Sequence, residues 1–293
     1  MTDDALQIHW YPGHMAKTRR QMEADLKLVD AVCELLDARI PYASRNPDID
    51  AICGSKPRLT ALNRADLADP KATARWREYF RARGVPVIET ECKSRKGVAA
   101  FVPAVEALLA EKRQKYRDKG QIGRALRVMV VGIPNVGKST FINQVSGRSS
   151  AKAENRPGVT RGKQWVAAGR ELLLLDTPGI LWPRFDDPRV ARLLAYTGAV
   201  RDEVLDAEGL AGSLAETLYA RYPASVRARY GVELPEGAAG HELLAEIGRR
   251  RGFLVSGGGI DTERAARMLL EEYRNCRIGR FTLEDPDVCG GIG

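Results

Sequence analysis

The feature that most constrains this chain is the segment GIPNVGKS at residues 132–139, which matches the phosphate-binding pattern GxxxxGK[ST]. An apolar run precedes the segment and a helical pattern follows it, which is the strand–loop–helix context that the pattern requires. Glycines let backbone N–H groups approach phosphate oxygens, and the helix N-terminus adds partial positive charge. The segment therefore predicts a nucleoside triphosphate site in an α/β fold, in preference to a structural glycine-rich turn.

Residue type assigns roles within this loop. Lys138 is expected to reach the β- and γ-phosphates and to act in catalysis, and Ser139 is expected to supply a Mg²⁺ ligand. The remaining expected nucleotide contacts lie in the loop and at the start of the helix: Asn135, Val136, Gly137 and Thr140.

Two polar segments follow in the order expected of a nucleotide hydrolase. An apolar run leads into the sequence DTPG, where Asp176 can hold Mg²⁺ through water and the N–H of Gly179 can sense the γ-phosphate. Between the two motifs, Thr160 in the loop RPGVTRG can complete Mg²⁺ coordination while the γ-phosphate is present and let go after hydrolysis. Thr160 is therefore expected to be both a metal ligand and a catalytic residue.

Base selection is predicted for a segment that follows another apolar run and resembles the NKxD motif of GTPases: Asn63, Arg64, Ala65 and Asp66. An aspartate that accepts hydrogen bonds from N1–H and the 2-amino group of guanine rejects adenine. Arg64 replaces the usual lysine, and its aliphatic stem can still cover the base. A second guanine contact is expected beyond the next apolar run, at Glu91 and Cys92. A turn that caps a helix is the alternative interpretation of the Asn-x-x-Asp pattern.

The order of these motifs is permuted, because the guanine motif precedes the phosphate loop instead of following it. A fold with neighbouring termini can be cut elsewhere and keep its site, so this order predicts a circularly permuted Ras-like P-loop domain. In the first part of the chain, helical patterns such as residues 98–117 alternate with short apolar runs, which predict strands at 31–36, 58–62, 85–89, 127–132, 165–168 and 171–176. Only helical patterns follow, and the first of them begins at Leu193. We therefore predict an α/β GTPase domain at residues 1–185 and a smaller all-α domain at 186–293, with a frayed tail from residue 284.

The chain resembles the YlqF-type circularly permuted GTPases over nearly its whole length. The segments that carry the resemblance are WYPGHMAK at 10–17, LDARIP at 36–41, SRNP at 44–47, the phosphate loop at 132–140, residues 156–160 and 176–183, YP at 222–223 and SGG at 256–258. The resemblance implies hydrolysis of GTP to GDP late in large ribosomal subunit assembly, with the helical domain contacting ribosomal RNA. Arg64 departs from the family pattern, as do Glu91 and Cys92 in place of a small Ser-Ala-like pair, which leaves the guanine contact there to backbone N–H groups.

Catalysis needs a residue that orients water, because Ile180 stands where Ras-like enzymes carry glutamine. His14 lies in a Pro-Gly-His turn before a basic helix, and the family resemblance assigns it that role. Resemblance to potassium-activated GTPases implies that Asn135 helps to hold K⁺ in place of an arginine finger. The alternatives are a surface or capping histidine and an asparagine that only satisfies a loop N–H.

The charge distribution fits either a polyanionic partner or a soluble basic protein that binds no such partner. Residues 1–199 carry 34 Lys+Arg against 22 Asp+Glu, whereas residues 200–293 carry 12 against 16. A positive surface suits nucleic acid, so residues 112–127 and the run Arg249-Arg250-Arg251 are candidate RNA contacts. Two alternative functions for the whole chain are a kinase or ATPase for a small substrate, and an RNA-binding module that uses GTP only structurally.

Hydropathy and cysteine content indicate the cellular compartment of the protein. The longest purely apolar run is the five residues at 98–102, far below the roughly 18 residues of a membrane span, and the N-terminus is acidic. Five scattered cysteines predict reduced thiols and no zinc site. A cytoplasmic monomer without membrane association is expected.

Overall fold

The computed structural model describes residues 20–47, 49–147, 164–177, 179, 187–200 and 206–289. These residues fall into two compact units, one within residues 10–184 and 284–293 and the other within residues 185–283. We refer to them as the sheet unit and the helical unit.

Six strands among the described residues form the sheet of the first unit, in the order β3-β2-β1-β4-β6-β5. Their bounds are β1 Ala31–Asp37, β2 Arg58–Asn63, β3 Val87–Thr90, β4 Leu126–Val131, β5 Trp165–Ala167 and β6 Leu172–Asp176. All neighbouring strands are parallel except β5 and β6. Strands β1 and β4 are nearly all apolar and buried, as expected for parallel strands covered on both faces. The sequence-predicted strands agree with these bounds to within two residues.

Helices of the sheet unit follow the strands. They are α1 Ile49–Cys53, α2 Pro70–Ala82, α3 Phe101–Leu108, α4 Ala110–Asp118 and α5 Lys138–Ser146, and residues 20–26 are also helical. Asp69 begins α2, since its side chain accepts the backbone N–H groups of Lys71 at 2.8 Å and Ala72 at 3.3 Å. The single helix predicted over 98–117 is divided, because Leu109 leaves the helical region with φ −108°.

The helical unit contains α6 Pro188–Tyr196, α7 Ala207–Arg221, α8 Pro223–Tyr230, α9 Gly240–Arg251 and α10 Thr262–Arg274. The first helix begins earlier than the sequence-based boundary at Leu193, because Asp187 caps it by accepting the backbone N–H of Arg189 at 2.8 Å. Among the described residues, no helix is both long and apolar enough to cross a bilayer.

Residues 284–289 differ from the expected frayed end, since they belong to the sheet unit and form α11 Pro286–Cys289. The carboxylate of Glu284 accepts the backbone N–H groups of Tyr42 at 2.7 Å and Ala43 at 3.0 Å. Cys289 is 5% exposed in an apolar cluster with Trp76. Burial of the thiol and pairing of the carboxylate offset the entropy of ordering the tail, and these partners lie too far away in sequence for a local pattern to indicate them.

Candidate nucleotide-binding site

The phosphate loop joins β4 to α5 at the carboxyl edge of the sheet, where ligands bind in open α/β folds. Gly137 precedes the helix with φ 101°, a left-handed conformation that suits glycine. In the described part of the chain, no side chain caps the first turn of α5. The N–H groups of that turn therefore remain available to an anion.

Lys138 is directed into this loop. Its side chain is 8% exposed, and Nζ donates to the carbonyl of Gly132 at 3.3 Å. Burial lowers the pKa of Lys138, and the carboxylate of Asp176 partly offsets that effect. Because this cation is poorly solvated and its hydrogen-bond partner among the described residues is a carbonyl oxygen, a phosphate group is a favourable partner for it.

The DTPG segment meets the loop at Gly179. A Cβ on Gly179 would lie 2.9 Å from Nζ of Lys138 and 2.9 Å from Cα of Pro134, so only glycine fits. Asp176 ends β6 opposite Val130 of β4, and burial raises its pKa while Lys138 opposes that shift. The predicted phosphate and metal residues of these two segments are thus brought together.

Ser139 and Thr140 are exposed in the first turn of α5. A hydroxyl at this position and a carboxylate at the end of β6 are the hard oxygen donors that suit Mg²⁺. Among the described residues, no group of three or more His, Cys, Asp or Glu forms a metal site. This donor set fits an ion that takes its other ligands from water and nucleotide phosphates.

The guanine segment is hydrogen-bonded to the phosphate loop through Asn63. Its Nδ2 donates to the carbonyl of Val136 at 2.8 Å, and its Oδ1 accepts from Thr90 Oγ1 and Cys92 Sγ, each at 3.1 Å. A Cβ on Gly137 would lie 2.7 Å from that Nδ2, so glycine permits the close approach. These bonds are buried and fix the amide of Asn63 in one orientation.

Arg64 also contacts the phosphate loop. It has φ 58°, and its NH2 group donates to the carbonyl of Asn135, which has φ 57°. Burial lowers the pKa of Arg64, and nearby Asp37 partly offsets this effect. The backbone N–H of Ala65 donates to the carbonyl of Thr90 at 3.3 Å, which holds the turn that carries the half-buried Asp66.

Glu91 and Cys92 lie directly after β3, beside this turn. The carboxylate of Glu91 accepts from Lys96 Nζ at 3.2 Å and from Ser94 Oγ at 2.9 Å, so it is held within its own loop. Burial raises the pKa of Cys92 to about 11, so its thiol keeps its proton near neutral pH and donates to Asn63. The Glu-Cys pair thus supports the guanine segment through the cysteine.

Thr90, whose hydroxyl donates to the Asn63 amide oxygen, is a site residue that the sequence patterns did not indicate. The available signal was a polar residue at the carboxyl end of a strand, where site residues concentrate. The predicted residues His14, Thr160 and Ile180 lie outside the described residues.

The chain is similar to known GTPases. A family model described as 50S ribosome-binding GTPase matches residues 127–208. The protein named ribosome biogenesis GTPase A from Priestia megaterium is 46% identical over 283 residues, which are 96% of this chain and 98% of that protein. The protein of the same name from Thermotoga maritima is 32% identical over 280 residues, or 96% of this chain and 95% of that protein.

Two solved structures are also similar to this chain over most of its length. The chain is similar to GNP-bound YlqF from T. maritima with a TM-score of 0.64 and 28% identity, over 92% of this chain and 99% of that one. It is similar to a GDP-bound YlqF structure with a TM-score of 0.66 and 28% identity, over 92% of this chain and 100% of that one.

Proposed function

Because the chain belongs to the ribosome biogenesis GTPase A family and is a GTP hydrolase that acts in ribosome assembly, we propose that it acts late in large-subunit maturation. We further propose that the maturing particle stimulates its GTP turnover. The description of the matching family model as 50S ribosome-binding supports the choice of subunit.

One observation carries the choice of nucleotide, namely the bond from Asn63 Nδ2 to the Val136 carbonyl at 2.8 Å. It joins a segment suited to guanine to a segment suited to phosphate. A kinase or ATPase for a small substrate needs the phosphate loop but has no use for the Asn63–Asp66 element. Asp66 would then accept from N1–H and the 2-amino group of guanine, which adenine cannot reproduce.

Hydrolysis follows from the same residues. Lys138 and the N–H groups at the start of α5 stabilise charge on the phosphates, and Gly179 places its N–H beside them. Ser139, Asp176 and, by proposal, Thr160 would hold Mg²⁺, which when bound neutralises charge on the β- and γ-phosphates. The proposal assigns orientation of the attacking water to His14 and a share in K⁺ binding to Asn135.

Slow intrinsic turnover is part of the proposal. The residue after Gly179 is Ile180, which cannot orient water, so catalysis depends on a group that arrives from elsewhere. A particle that brings His14 into place would raise turnover without changing the nucleotide site. This accounts for stimulation by a partner.

The partner's RNA is proposed to contact a basic segment formed by α4 and the turn after it. Lys115, Arg117 and Lys119 are exposed and form no ion pair with the rest of the described chain. In this segment Arg124 stacks on Tyr116, with the guanidinium carbon 4.4 Å from the ring centroid. Unpaired exposed cations release counterions when they meet a phosphate backbone.

The other basic candidate, in α9, is less suited to RNA. Arg249 and Arg250 both pair with Glu246, and Arg251 lies 3.9 Å from Glu272. A cleft of about 750 Å³ in the same unit is lined by more acids than bases: Asp206, Glu208, Glu263 and Glu271 against Arg267 and Arg274. Any RNA contact by the helical unit would have to break or avoid these pairs.

We also propose that the protein is a monomer in the cytoplasm. Its five cysteines are all free thiols, and four of them are buried. Free thiols persist in a reducing compartment.

The direct test is GTP turnover in K⁺ buffer, alone, with purified large subunits and with small subunits as the matched control. A rise of at least tenfold confined to large subunits is expected if the particle supplies catalytic help. No rise while GTP still binds would reject stimulation by the large subunit. His14→Ala should abolish the rise and leave GTP affinity unchanged, and exchange of K⁺ for Na⁺ should slow turnover if Asn135 holds K⁺.

A further inference from the structure

Strand β1 ends between the two halves of the nucleotide site. It lies between β2, which leads into the guanine segment, and β4, which leads into the phosphate loop. Asp37 is its last residue and is aligned with Asn63 of β2, and the N–H of Ala38 donates to the Asn63 carbonyl at 2.9 Å. A side chain at this strand end can therefore reach both loops.

Asp37 forms a buried ion pair with Arg39, and the two side chains are 2% and 1% exposed. Asp37 Oδ1 accepts Arg39 Nε at 2.9 Å, and Oδ2 accepts Arg39 NH2 at 2.7 Å. Burial opposes ionisation, but Arg39 and then Arg64 outweigh it, so the pKa of Asp37 is below its ordinary value. The bidentate contact fixes the plane of a charged carboxylate.

Arg64 connects this carboxylate to the phosphate loop. Its NH1 lies 3.9 Å from Asp37 Oδ2, and its NH2 donates to the carbonyl of Asn135. A guanidinium can engage two acceptors at once because its donors form a rigid planar fork, whereas a lysine ammonium is a single compact charge. The arginine at this position therefore has a geometric partner that the usual lysine would not need.

We propose that Asp37 is a positioning residue for guanine nucleotide binding, which orients Arg64 so that its second nitrogen holds the Asn135 carbonyl in the phosphate loop. Arg39 keeps the Asp37 carboxylate in the required plane. Arg64 and Asp37 thus act as a pair, and the departure from lysine is an adaptation to the acid at the end of β1. A corollary is that Arg64→Lys, which restores the usual residue, weakens nucleotide binding.

The test is a double-mutant cycle on the full chain, with affinity for fluorescently labelled GDP as the readout. Asp37→Asn should weaken GDP binding about tenfold when Arg64 is present but less than twofold in an Arg64→Met background. Arg64→Lys should weaken it about fivefold, since one of two contacts is lost. A matched control is Asp50→Asn, which removes an exposed acid paired with Arg45 and Arg58 and should leave affinity unchanged.

Thermal unfolding of each variant separates positioning from stability. A merely structural Asp37 would lower the melting temperature and change affinity equally in both Arg64 backgrounds, and that additivity would overturn the proposal. Unchanged GDP affinity of folded Asp37→Asn would do the same. If Asp37→Asn does not fold, the partly exposed Arg64→Lys variant decides, and wild-type affinity there would reject the paired role.

Discussion

The carboxyl edge and the amino edge of the sheet differ in how far their positively charged side chains are buried. At the carboxyl edge Lys138 and Arg39 are 8% and 1% exposed, and carbonyl or carboxylate oxygens hold them in place. At the amino edge Asp30, just before β1, accepts Lys112 Nζ at 2.6 Å and the hydroxyl of Tyr116 at 3.2 Å, which fastens α4 there. Lys115 and Arg117 of the same helix are exposed to solvent.

This difference suits the two kinds of anion that we propose as ligands. A triphosphate is small, so a site for it gains from cations that are already desolvated and fixed. A nucleic-acid backbone is long and repetitive, so exposed side chains that adapt and release counterions suit it better. If the two edges are independent in this sense, a substitution at one edge should leave ligand binding at the other unchanged.

The largest effect is expected from Lys138→Ala. Loss of a buried cation at the phosphate loop should weaken GTP affinity about 100-fold, in line with a charge-assisted bond to an ionised partner. Titration with a labelled GTP analogue measures it. Lys115→Ala is the matched control at the amino edge and should bind GTP normally; a loss there would show that the edges are coupled.

The second-largest predicted effect is on the pH dependence of stability, and it arises from Glu34, which lies in β1 between the two edges. Burial raises its pKa to about 7, although Arg45 and the N–H of Asn46 oppose the shift. Its folded-state pKa lies above the unfolded one, so the stability it provides is present below the unfolded pKa and is lost as pH rises through about 7. The free energy of unfolding should fall by about 2 kcal/mol between about pH 5 and pH 7, and Glu34→Gln should remove that decline.

Denaturant unfolding at several pH values measures this change. Glu171→Gln is the amino-edge control, because Glu171 pairs with Arg113 at a partly exposed site and should shift stability by less than about 0.5 kcal/mol. An identical pH profile for wild type and Glu34→Gln would show that another group governs the decline.

The smallest predicted effect is on RNA affinity, and it is tested by substitutions in each of the two basic segments. Replacement of Lys115, Arg117 and Lys119 by glutamine should weaken binding to large-subunit RNA about tenfold and reduce the salt-dependence slope by about 2 to 3. Arg249→Gln with Arg250→Gln should change affinity by less than about twofold, because Glu246 already neutralises both side chains. The reverse ranking would move the RNA contact to the helical unit.

Local sequence was sufficient for the parts of the site that are contiguous along the chain. Residues 126–146 specify a strand, a glycine-rich loop and a helix in immediate succession, and this is what the structure contains. The six strands were predictable for the same reason, since each is a short apolar run bounded by polar residues. The permuted order also followed from the sequence, because motif order is a property of the chain itself.

Only the tertiary structure decided how separated segments meet. Thr90 holds Asn63, Asp37 faces Arg64, and Glu284 binds the N–H groups of Tyr42 and Ala43. No local pattern encodes these pairs, because each one depends on strand register and on how the chain packs over long sequence separations. Thus the sequence determined that a guanine nucleotide site exists, and the fold decided which buried polar groups hold its two loops together.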